Sequence, residues 1–325
     1  MVFEVPKEIS AGKVIEVTVG ATPEQGGSRS HSITIGGSSA LPFHFFEGSI
    51  PHRPVIAMEV FDKIPPKYPD TLMDYYRDVI DKPAEMAKKC VNEFGADLIS
   101  VRLEGTHPEK GNKSADEAAE VVQNVLESVG VPLIITGHSH FEKMNEVMKK
   151  VCEVTEGENC LVNYVETDNY KTIAAACIAY NHTVVAQSPI DINLAKQLNI
   201  LLTEMNFPPE RIVMDPMTGG LGYGLEYTYS IMERIRIDGL AGDKMLDFPM
   251  LANPGYESFR IKETRALEED YPDWGDVKQR SVYWEITTSI SLLFAGAEML
   301  IMYHPKAVDV IKNKINEMVK SETGD

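Results

Sequence analysis

Cysteine is scarce in this sequence, and the few cysteines are scattered. The four are Cys90, Cys152, Cys160 and Cys177, and no two of them form a CxxC pair. Ferredoxin-type clusters and structural zinc sites are held by closely spaced cysteines, and no such run exists here. Three of the four lie among apolar residues in helical patterns, which favours reduced, buried thiols. We therefore expect no cysteine-ligated iron–sulfur cluster on this chain.

Long apolar runs and excess positive charge are also missing. A membrane-spanning helix needs about 20 consecutive apolar residues, and no apolar stretch approaches that length. The N-terminal MVFEVPKEIS has no basic region followed by an apolar core, unlike a secretion signal. Lys and Arg number 31 against 49 Asp and Glu, so the net charge is -18. Nucleic acids and anionic membranes repel such a surface. We therefore expect a cytoplasmic protein that docks on other proteins.

Alternation of short apolar runs with helical patterns dominates the chain after residue 53. The chain has 325 residues, 43% of them hydrophobic, which suffices for a large core. The apolar runs are almost continuous, as in parallel strands buried on both faces. The predicted strands are Val55–Val60, Leu98–Leu103, Pro132–Thr136, Cys160–Val165, Thr183–Gln187, Ile212–Met214, Met250–Ala252 and Met299–Tyr303.

Helical periodicity fills the intervals between these runs. Ser114–Val129, Asp191–Met205 and Lys306–Val319 each place apolar residues on one face. The first of them opens with a capping box, in which Ser114 is followed three positions later by Glu117. Successive strand–helix units predict a (β/α)₈ TIM barrel over residues 51–325. An open, doubly wound sheet is the alternative.

The first fifty residues follow a different pattern. Lys13–Gly20 and Ser30–Gly36 alternate apolar and polar residues, as half-buried strands do. Gly26 and Gly27 lie between them, which predicts a β-hairpin with a long connection. We therefore divide the chain into an N-terminal β-hairpin extension, residues 1–50, and the barrel. A long irregular stretch, Gly255–Asp276, is expected at the barrel mouth or beside it.

Polar residues follow most of the predicted strands, where a barrel builds its site. They are Glu59, Asp62, Glu104, His107, His138, Glu166, Asp168, Asn169, Ser188, Asp215, Asn253 and His304. No set of nucleophile, base and orienting group emerges from them, so no catalytic residue is assigned. His138 and His140 have a spacing that zinc ligands can use, but no third ligand lies nearby. A solvated loop is the preferred interpretation, and no metal ligand is assigned.

The segment Gly219–Gly224 (GGLGYG) is rich in glycine and follows the sixth predicted barrel strand. It does not match the dinucleotide-binding fingerprint, since Leu225 stands where the third glycine belongs, and it lacks the Lys and Ser/Thr of a P-loop. Such a loop lets the backbone approach a flat ligand or a partner closely. A tight turn before the next helix is the alternative.

Several segments resemble the small subunit of corrinoid iron–sulfur proteins, the acetyl-CoA decarbonylase/synthase delta subunit family. They are Ala21–Gly27, Arg29–His31, Ala40–Gly48, Arg53–Glu59, Ser188–Met205, Gly219–Arg236 and Gly242–Met245. Together they cover most of the chain, and the blocks Asp191–Met205 and Gly219–Arg236 are the most specific.

The resemblance implies a non-catalytic TIM-barrel subunit of a heterodimeric methyl carrier in the reductive acetyl-CoA (Wood–Ljungdahl) pathway. Its large-subunit partner would hold a [4Fe-4S] cluster and a cobalamin-binding domain, with the corrinoid between that domain and the barrel. Methyltetrahydrofolate would supply the methyl group through a separate methyltransferase, and CO dehydrogenase/acetyl-CoA synthase would receive it. A stand-alone pterin-dependent methyltransferase is the alternative, because Asp215 and Asn253 could hydrogen-bond a pterin ring.

Barrel topology, rather than the resemblance, suggests which residues meet the corrinoid. Backbone groups and small polar side chains at the mouth suit the amide groups of a corrin rim. The predicted cofactor-binding residues are Thr218, Gly219, Gly220, Gly222, Asn253 and His304.

Overall fold

Eight parallel strands close into a barrel in the computed structural model, which describes residues 5–66, 68–219, 221–222 and 224–320. The order around the barrel is β10-β3-β4-β5-β6-β7-β8-β9, and β9 pairs with β10 to close it. The strands are β3 (Val55–Phe61), β4 (Leu98–Arg102), β5 (Leu133–Thr136), β6 (Leu161–Val165), β7 (Thr183–Gln187), β8 (Ile212–Asp215), β9 (Met250–Ala252) and β10 (Ala297–Met302). The predicted TIM barrel is confirmed, and the open-sheet alternative is wrong.

Helices surround the barrel, one or more between successive strands. They are α1 (Asp70–Tyr76), α2 (Pro83–Asn92), α3 (Ala115–Ser128), α4 (Phe141–Val154), α5 (Tyr170–Ala179), α6 (Ile192–Glu204), α7 (Leu225–Leu240), α8 (Pro254–Ser258), α9 (Val277–Ala295) and α10 (Pro305–Lys320). The predicted capping box is present, because the Ser114 hydroxyl accepts from the Glu117 backbone and the Glu117 carboxylate accepts from Ser114 N. Among the described residues, no helix has the length and apolarity needed to cross a membrane.

The N-terminal hairpin lies under the barrel. Its strands, β1 (Val17–Val19) and β2 (Ile33–Ile35), are antiparallel and shorter than predicted. Val17, Val19 and Ile35 of this pair are fully buried, Ile33 is partly buried, and all four pack against the lower barrel interior. That interior includes Leu98, Ile134 and Val213. The hairpin therefore closes the N-terminal end of the barrel, which we call the base.

Arg29, in the connection of the hairpin, fastens it to the base. Its side chain is 3% exposed. Nε donates to Glu158 at 2.9 Å, Nη1 to the Val129 carbonyl at 2.6 Å, and Nη2 to the Leu126 carbonyl at 2.9 Å. The guanidinium thus satisfies the Leu126 carbonyl in the last turn of α3, the Val129 carbonyl just after that helix, and the Glu158 carboxylate, which also accepts from Ser28 N.

The stretch predicted to be irregular, Gly255–Asp276, is partly helical. It begins inside α8, whose first turn is capped by the Asn253 side chain, which accepts from Tyr256 N at 3.2 Å. Two short 3₁₀ turns follow, at Lys262–Thr264 and Pro272–Trp274. The prediction of no regular structure was wrong here, because a side-chain cap and Pro254 can start a helix too short to show apolar periodicity.

Candidate ligand-binding site at the barrel mouth

A buried polar layer crosses the upper barrel interior. Glu59 of β3 lies at its centre, with Oε1 2.6 Å from Arg102 Nε and 2.5 Å from the Tyr303 hydroxyl. Ser100 donates to Glu59 Oε2 at 2.8 Å and lies 3.0 Å from the Thr136 hydroxyl. Because Glu59 and Arg102 are both buried and paired, the layer is a fixed floor for whatever lies above it.

Above this layer the mouth holds a cavity of about 320 Å³. Its lining is mostly polar and comes from six of the eight strand ends and the loops beyond them. The lining residues are Arg102, Glu104, His107, Lys110, Thr136, Gly137, His138, Ser139, Asn163, Tyr164, Glu166, Gln187, Asp215, Met217, Thr218, Gly219, Asn253, Tyr256, Glu257 and Arg260. The volume admits a small flat molecule or the edge of a larger one.

Asp215, at the end of β8, is the most buried acid of the cavity wall. Its carboxylate accepts from Gln187 Nε2 at 2.9 Å and from Met217 N at 2.8 Å. Burial nevertheless raises the pKa of this carboxyl to about 6. Burial also raises the pKa of Glu166, and the charge of Asp168 adds to the effect. The mouth therefore contains carboxyl groups that hold a proton more readily than exposed ones do.

Three histidines meet at one side of the mouth. The His107 ring lies 5.1 Å from that of His138 and 5.9 Å from that of His140, centroid to centroid. Burial, with the neighbouring His107, lowers the pKa of His138 to about 4, so its ring is neutral at pH 7. Within the ranges that the structure describes, no group of His, Cys, Asp or Glu side chains has an arrangement that could hold a metal ion.

The glycine-rich loop forms part of the rim. Gly219 and Gly222 are not in the left-handed region, which among the loop's described glycines only Gly224 occupies, at φ 125°. A Cβ at Gly222 would meet nothing within 4 Å, and one at Gly219 only the Met217 methyl at 3.8 Å. The turn explanation therefore holds for Gly224, whereas nothing in the described part of the chain requires glycine at 219 or 222. Gly220 lies outside the described residues.

The structure brings together only some of the predicted cofactor-binding residues. Thr218, Gly219 and Asn253 line the cavity, and the Thr218 hydroxyl accepts from Asn253 N at 3.0 Å. Gly222 is exposed beside them. His304 lies apart, in a groove between α1 and α9, where its backbone N–H donates to buried Glu285 at 3.0 Å. Its ring lies against Tyr75 of α1, 5.0 Å away.

The wider set of residues after the strands also divides. Glu104, His107, His138, Glu166, Asp215 and Asn253 line the cavity. Others serve the loops: Asp62 accepts from Gly105 N at 2.7 Å, and Asn169 accepts from Glu166 N at 2.7 Å. Five cavity residues that were not assigned to the site from the sequence belong to strands: Arg102, Thr136, Asn163, Tyr164 and Gln187. A polar residue interrupting an apolar run is the signal that could have identified them.

A closed parallel barrel with its base plugged and a polar cavity at its mouth is, by fold, similar to the dihydropteroate synthases. The enzyme from Xanthomonas albilineans superimposes with a TM-score of 0.56 at 15% identity, covering 87% of this chain and 100% of that one. The Thermus thermophilus enzyme gives 0.53 at 16% identity, covering 85% and 98%. At these identities the likeness shows the fold alone.

Sequence comparison defines the family. The family model described as "CO dehydrogenase/acetyl-CoA synthase delta subunit" matches residues 16–311. The acetyl-CoA decarbonylase/synthase complex subunit delta of Archaeoglobus fulgidus is 41% identical over 323 residues, which are 97% of this chain and 71% of that protein. That of Methanocaldococcus jannaschii is 36% identical over 99% of this chain and 78% of its own length. The chain therefore belongs to the CO dehydrogenase/acetyl-CoA synthase delta subunit family, as the sequence resemblance indicated.

Proposed function

We propose that this chain is the small, non-catalytic subunit of a heterodimeric corrinoid iron–sulfur methyl carrier. The observation that supports this most strongly is its 41% identity, across 97% of its length, to a protein named as a subunit of the acetyl-CoA decarbonylase/synthase complex. The fold agrees with a supporting role. Because the hairpin occupies the base, the mouth is the end of the barrel left open to a cofactor or a partner.

The residues at the mouth fit a corrinoid lying across the opening rather than inside it. A corrin macrocycle is much larger than the cavity of about 320 Å³, but its rim carries amide groups that need donors and acceptors. Thr218, Gly219 and Asn253 offer a hydroxyl and backbone groups at the edge of the opening. The open space at Gly222, and the single contact with the Met217 methyl that a Cβ would make at Gly219, allow a close approach to the backbone.

The barrel's own contribution in this proposal is to cover and to orient. When bound, the corrinoid supplies the cobalt that accepts and passes on the methyl group. Thr218, Gly219 and Asn253, at the mouth of the barrel, would hold one face of the corrin ring and limit the access of water and oxidants to it. Because two other proteins must reach the same face in turn, the cover has to move away, on the microsecond-to-millisecond scale usual for domain motions.

The remaining parts of the system are assigned to other chains. The large subunit would hold the [4Fe-4S] cluster and the cobalamin-binding domain, since all four cysteines here are buried, free thiols. A methyltetrahydrofolate:corrinoid methyltransferase would load the methyl group, and CO dehydrogenase/acetyl-CoA synthase would take it. A cytoplasmic location stays a prediction.

Co-expression with a corrinoid-binding, iron–sulfur large subunit tests the proposal. We expect a coloured 1:1 complex on size-exclusion chromatography, and an interface of about 2,000 Å² or more in total. Iron and sulfide should co-purify with the large subunit only. Two separate, well-behaved monomers would overturn the proposal. Turnover of methyltetrahydrofolate by the isolated chain would favour the stand-alone methyltransferase instead.

A further inference from the structure

His138 presents an unused hydrogen-bond donor to the mouth cavity. Its Nδ1 accepts from His140 N at 3.1 Å, so the proton of the neutral ring is on Nε2. The residue is 5% exposed, and Nε2 has no partner among the described residues. The imidazole is thus held in one tautomer, with an N–H that no described group accepts.

A second buried histidine shows what such a ring normally does with that proton. His182, between α5 and β7, also accepts at Nδ1, from Cys160 N at 3.2 Å. Its Nε2 lies 2.9 Å from the Cys152 carbonyl, to which it donates. Both histidines are buried and in the same tautomer, but only His182 has both nitrogens satisfied. The unused donor of His138 is therefore not a general property of buried histidines in this chain.

Asn163, on the neighbouring strand β6, presents the complementary group. Its Nδ2 donates to the Thr136 hydroxyl at 3.2 Å, which fixes the orientation of the amide. Its Oδ1 is buried without a partner among the described residues, and the residue is 2% exposed. A buried carbonyl oxygen without a donor is costly, so its position at a cavity wall requires an explanation.

The two unused groups belong to neighbouring strand–loop units, because His138 lies two residues after β5 and Asn163 lies within β6. Thr136 pairs with Asn163 across β5 and β6, and Gly137 N donates to the Asn163 carbonyl at 2.7 Å. His138 follows directly, and both residues line the same cavity. The wall of one cavity therefore includes a residue with an unused donor and a residue with an unused acceptor.

The surroundings restrict the charge of that ligand. Lys110 and Arg260 also line the cavity, but they form ion pairs with Glu104 and Glu257. Among the described residues this leaves Glu166 and Asp215 as the cavity acids without an ion-pair partner, and they disfavour an anion. Arg102 is already paired with Glu59. A cation would face the N–H of His138 rather than a lone pair. A neutral group that offers an acceptor beside a donor fits both positions.

We infer that His138 Nε2–H and Asn163 Oδ1 bind the edge of a neutral amide, whose carbonyl accepts from His138 and whose N–H donates to Asn163. Two sources share this chemistry. One is the lactam edge of a flat heterocycle that fills the cavity. The other is a rim carboxamide of a corrin reaching in from above, and only this second source rests on the proposed function.

Titration calorimetry of the purified full-length chain distinguishes the sources. The probes are 6-methylpterin for the lactam and dicyanocobinamide for the carboxamide. His138→Phe removes the donor at nearly constant size, and Asn163→Leu removes the acceptor. The matched controls are His31→Phe and Asn124→Leu, at exposed positions that do not line the mouth cavity. Thermal unfolding of each variant shows whether it is folded.

We expect one probe to bind at micromolar concentration and each cavity variant to weaken it at least tenfold, with both controls unchanged. His138→Gln, which keeps a side-chain N–H, should recover part of the loss. Binding of 6-methylpterin identifies the lactam source, and binding of dicyanocobinamide the carboxamide source. If neither probe binds, or if binding is the same in both cavity variants as in the wild type, the inference is wrong. If one variant does not fold, the other decides. A coloured complex with the large subunit can form whichever result is found, so failure here leaves the proposed function standing.

Discussion

Several buried polar groups at the base and at the mouth of the barrel differ in whether their hydrogen bonds are made within the chain. At the base, Arg29 donates to the Glu158 carboxylate and to the Leu126 and Val129 carbonyls, and His182 has partners for both ring nitrogens. At the mouth, His138 and Asn163 each keep a buried atom without a partner among the described residues. The carboxyl of Asp215 has its pKa raised there to about 6.

This difference predicts that the base contributes mainly to the stability of the fold and the mouth mainly to binding. A polar group that is satisfied within the chain stabilises the fold, whereas one that waits for an external partner lowers stability until that partner arrives. Substitutions at the base should therefore reduce the free energy of unfolding most. Those at the mouth should change ligand or partner affinity with little effect on folding.

Arg29→Leu should cause the largest loss of stability. The change removes the guanidinium donor from the Glu158 carboxylate and from the Leu126 and Val129 carbonyls, and removing one partner of a buried ion pair costs about 3–5 kcal/mol. Urea unfolding followed by circular dichroism measures it. Arg53→Leu is the control, because Arg53 is 41% exposed in its pair with Asp97 and such pairs contribute about 1 kcal/mol or less. Equal losses of unfolding free energy in the Arg29 and Arg53 variants would contradict the idea that the buried contacts of Arg29 stabilise the fold more than an exposed ion pair does.

Glu59→Gln tests where the base ends and the mouth begins. The polar layer beneath the cavity is built like the base, since Glu59 pairs with Arg102 and accepts from Ser100 and Tyr303. Removing the charge while keeping the shape should cost about 2 kcal/mol of unfolding free energy. Glu85→Gln, in an exposed pair with Lys88, should change stability by less than about 0.5 kcal/mol. A Glu59 variant as stable as the wild type would mean that this polar layer does not stabilise the fold as the base does and belongs with the mouth.

Acid should destabilise the base through His182. Burial lowers the pKa of His182 to about 4, below the ordinary value of about 6.5. Between these values the unfolded chain binds more protons, so this contribution is complete above pH 6.5 and is lost as the pH falls toward 4. We expect His182 to account for roughly 1–2 kcal/mol of the stability lost between pH 7 and pH 5.

Urea unfolding at a series of pH values checks this contribution. His182→Asn should flatten the profile, whatever its effect at pH 7, whereas His31→Asn, at an exposed position, should keep the wild-type slope. A His182 variant with the full acid dependence would show that other groups cause it.

Much of the barrel was predictable because its strands are almost continuously apolar and its helices have a clear period. Thr183–Gln187 and Met250–Ala252 match the structure at both ends. The alternation in Lys13–Gly20 correctly predicted a half-buried hairpin. It could not predict what the buried face covers, because a period of two contains no information about the partner surface.

The site was less predictable, because convergence depends on the side-chain packing of distant elements. His304 follows a strand as Asn253 does, yet Glu285 of α9 binds its backbone and the ring lies against α1. Asn163 lies within the predicted strand Cys160–Val165 and was assigned no role from the sequence. Its position in the barrel interior became apparent only when β6 was paired with β5.

Gly222→Val should have the smallest effect on stability and the clearest effect on assembly. A Cβ at this exposed position meets nothing within 4 Å, so we expect a change of less than about 0.5 kcal/mol. If the rim meets the corrinoid or its binding domain, the added isopropyl group occupies the space that they need. Corrinoid content and the methylation rate of the complex should then fall while the chain stays folded.

Gly224→Val separates this effect from a disturbance of the loop itself. Gly224 has φ 125°, a backbone conformation that valine rarely adopts, so valine strains the start of α7. We expect Gly224→Val to lower the melting temperature and Gly222→Val to leave it unchanged. Normal corrinoid content and methylation with Gly222→Val would show that the loop has no such role. Unfolding of the Gly222 variant would instead mean that the glycine is required by the fold, and the rim would then belong with the base as a structural element.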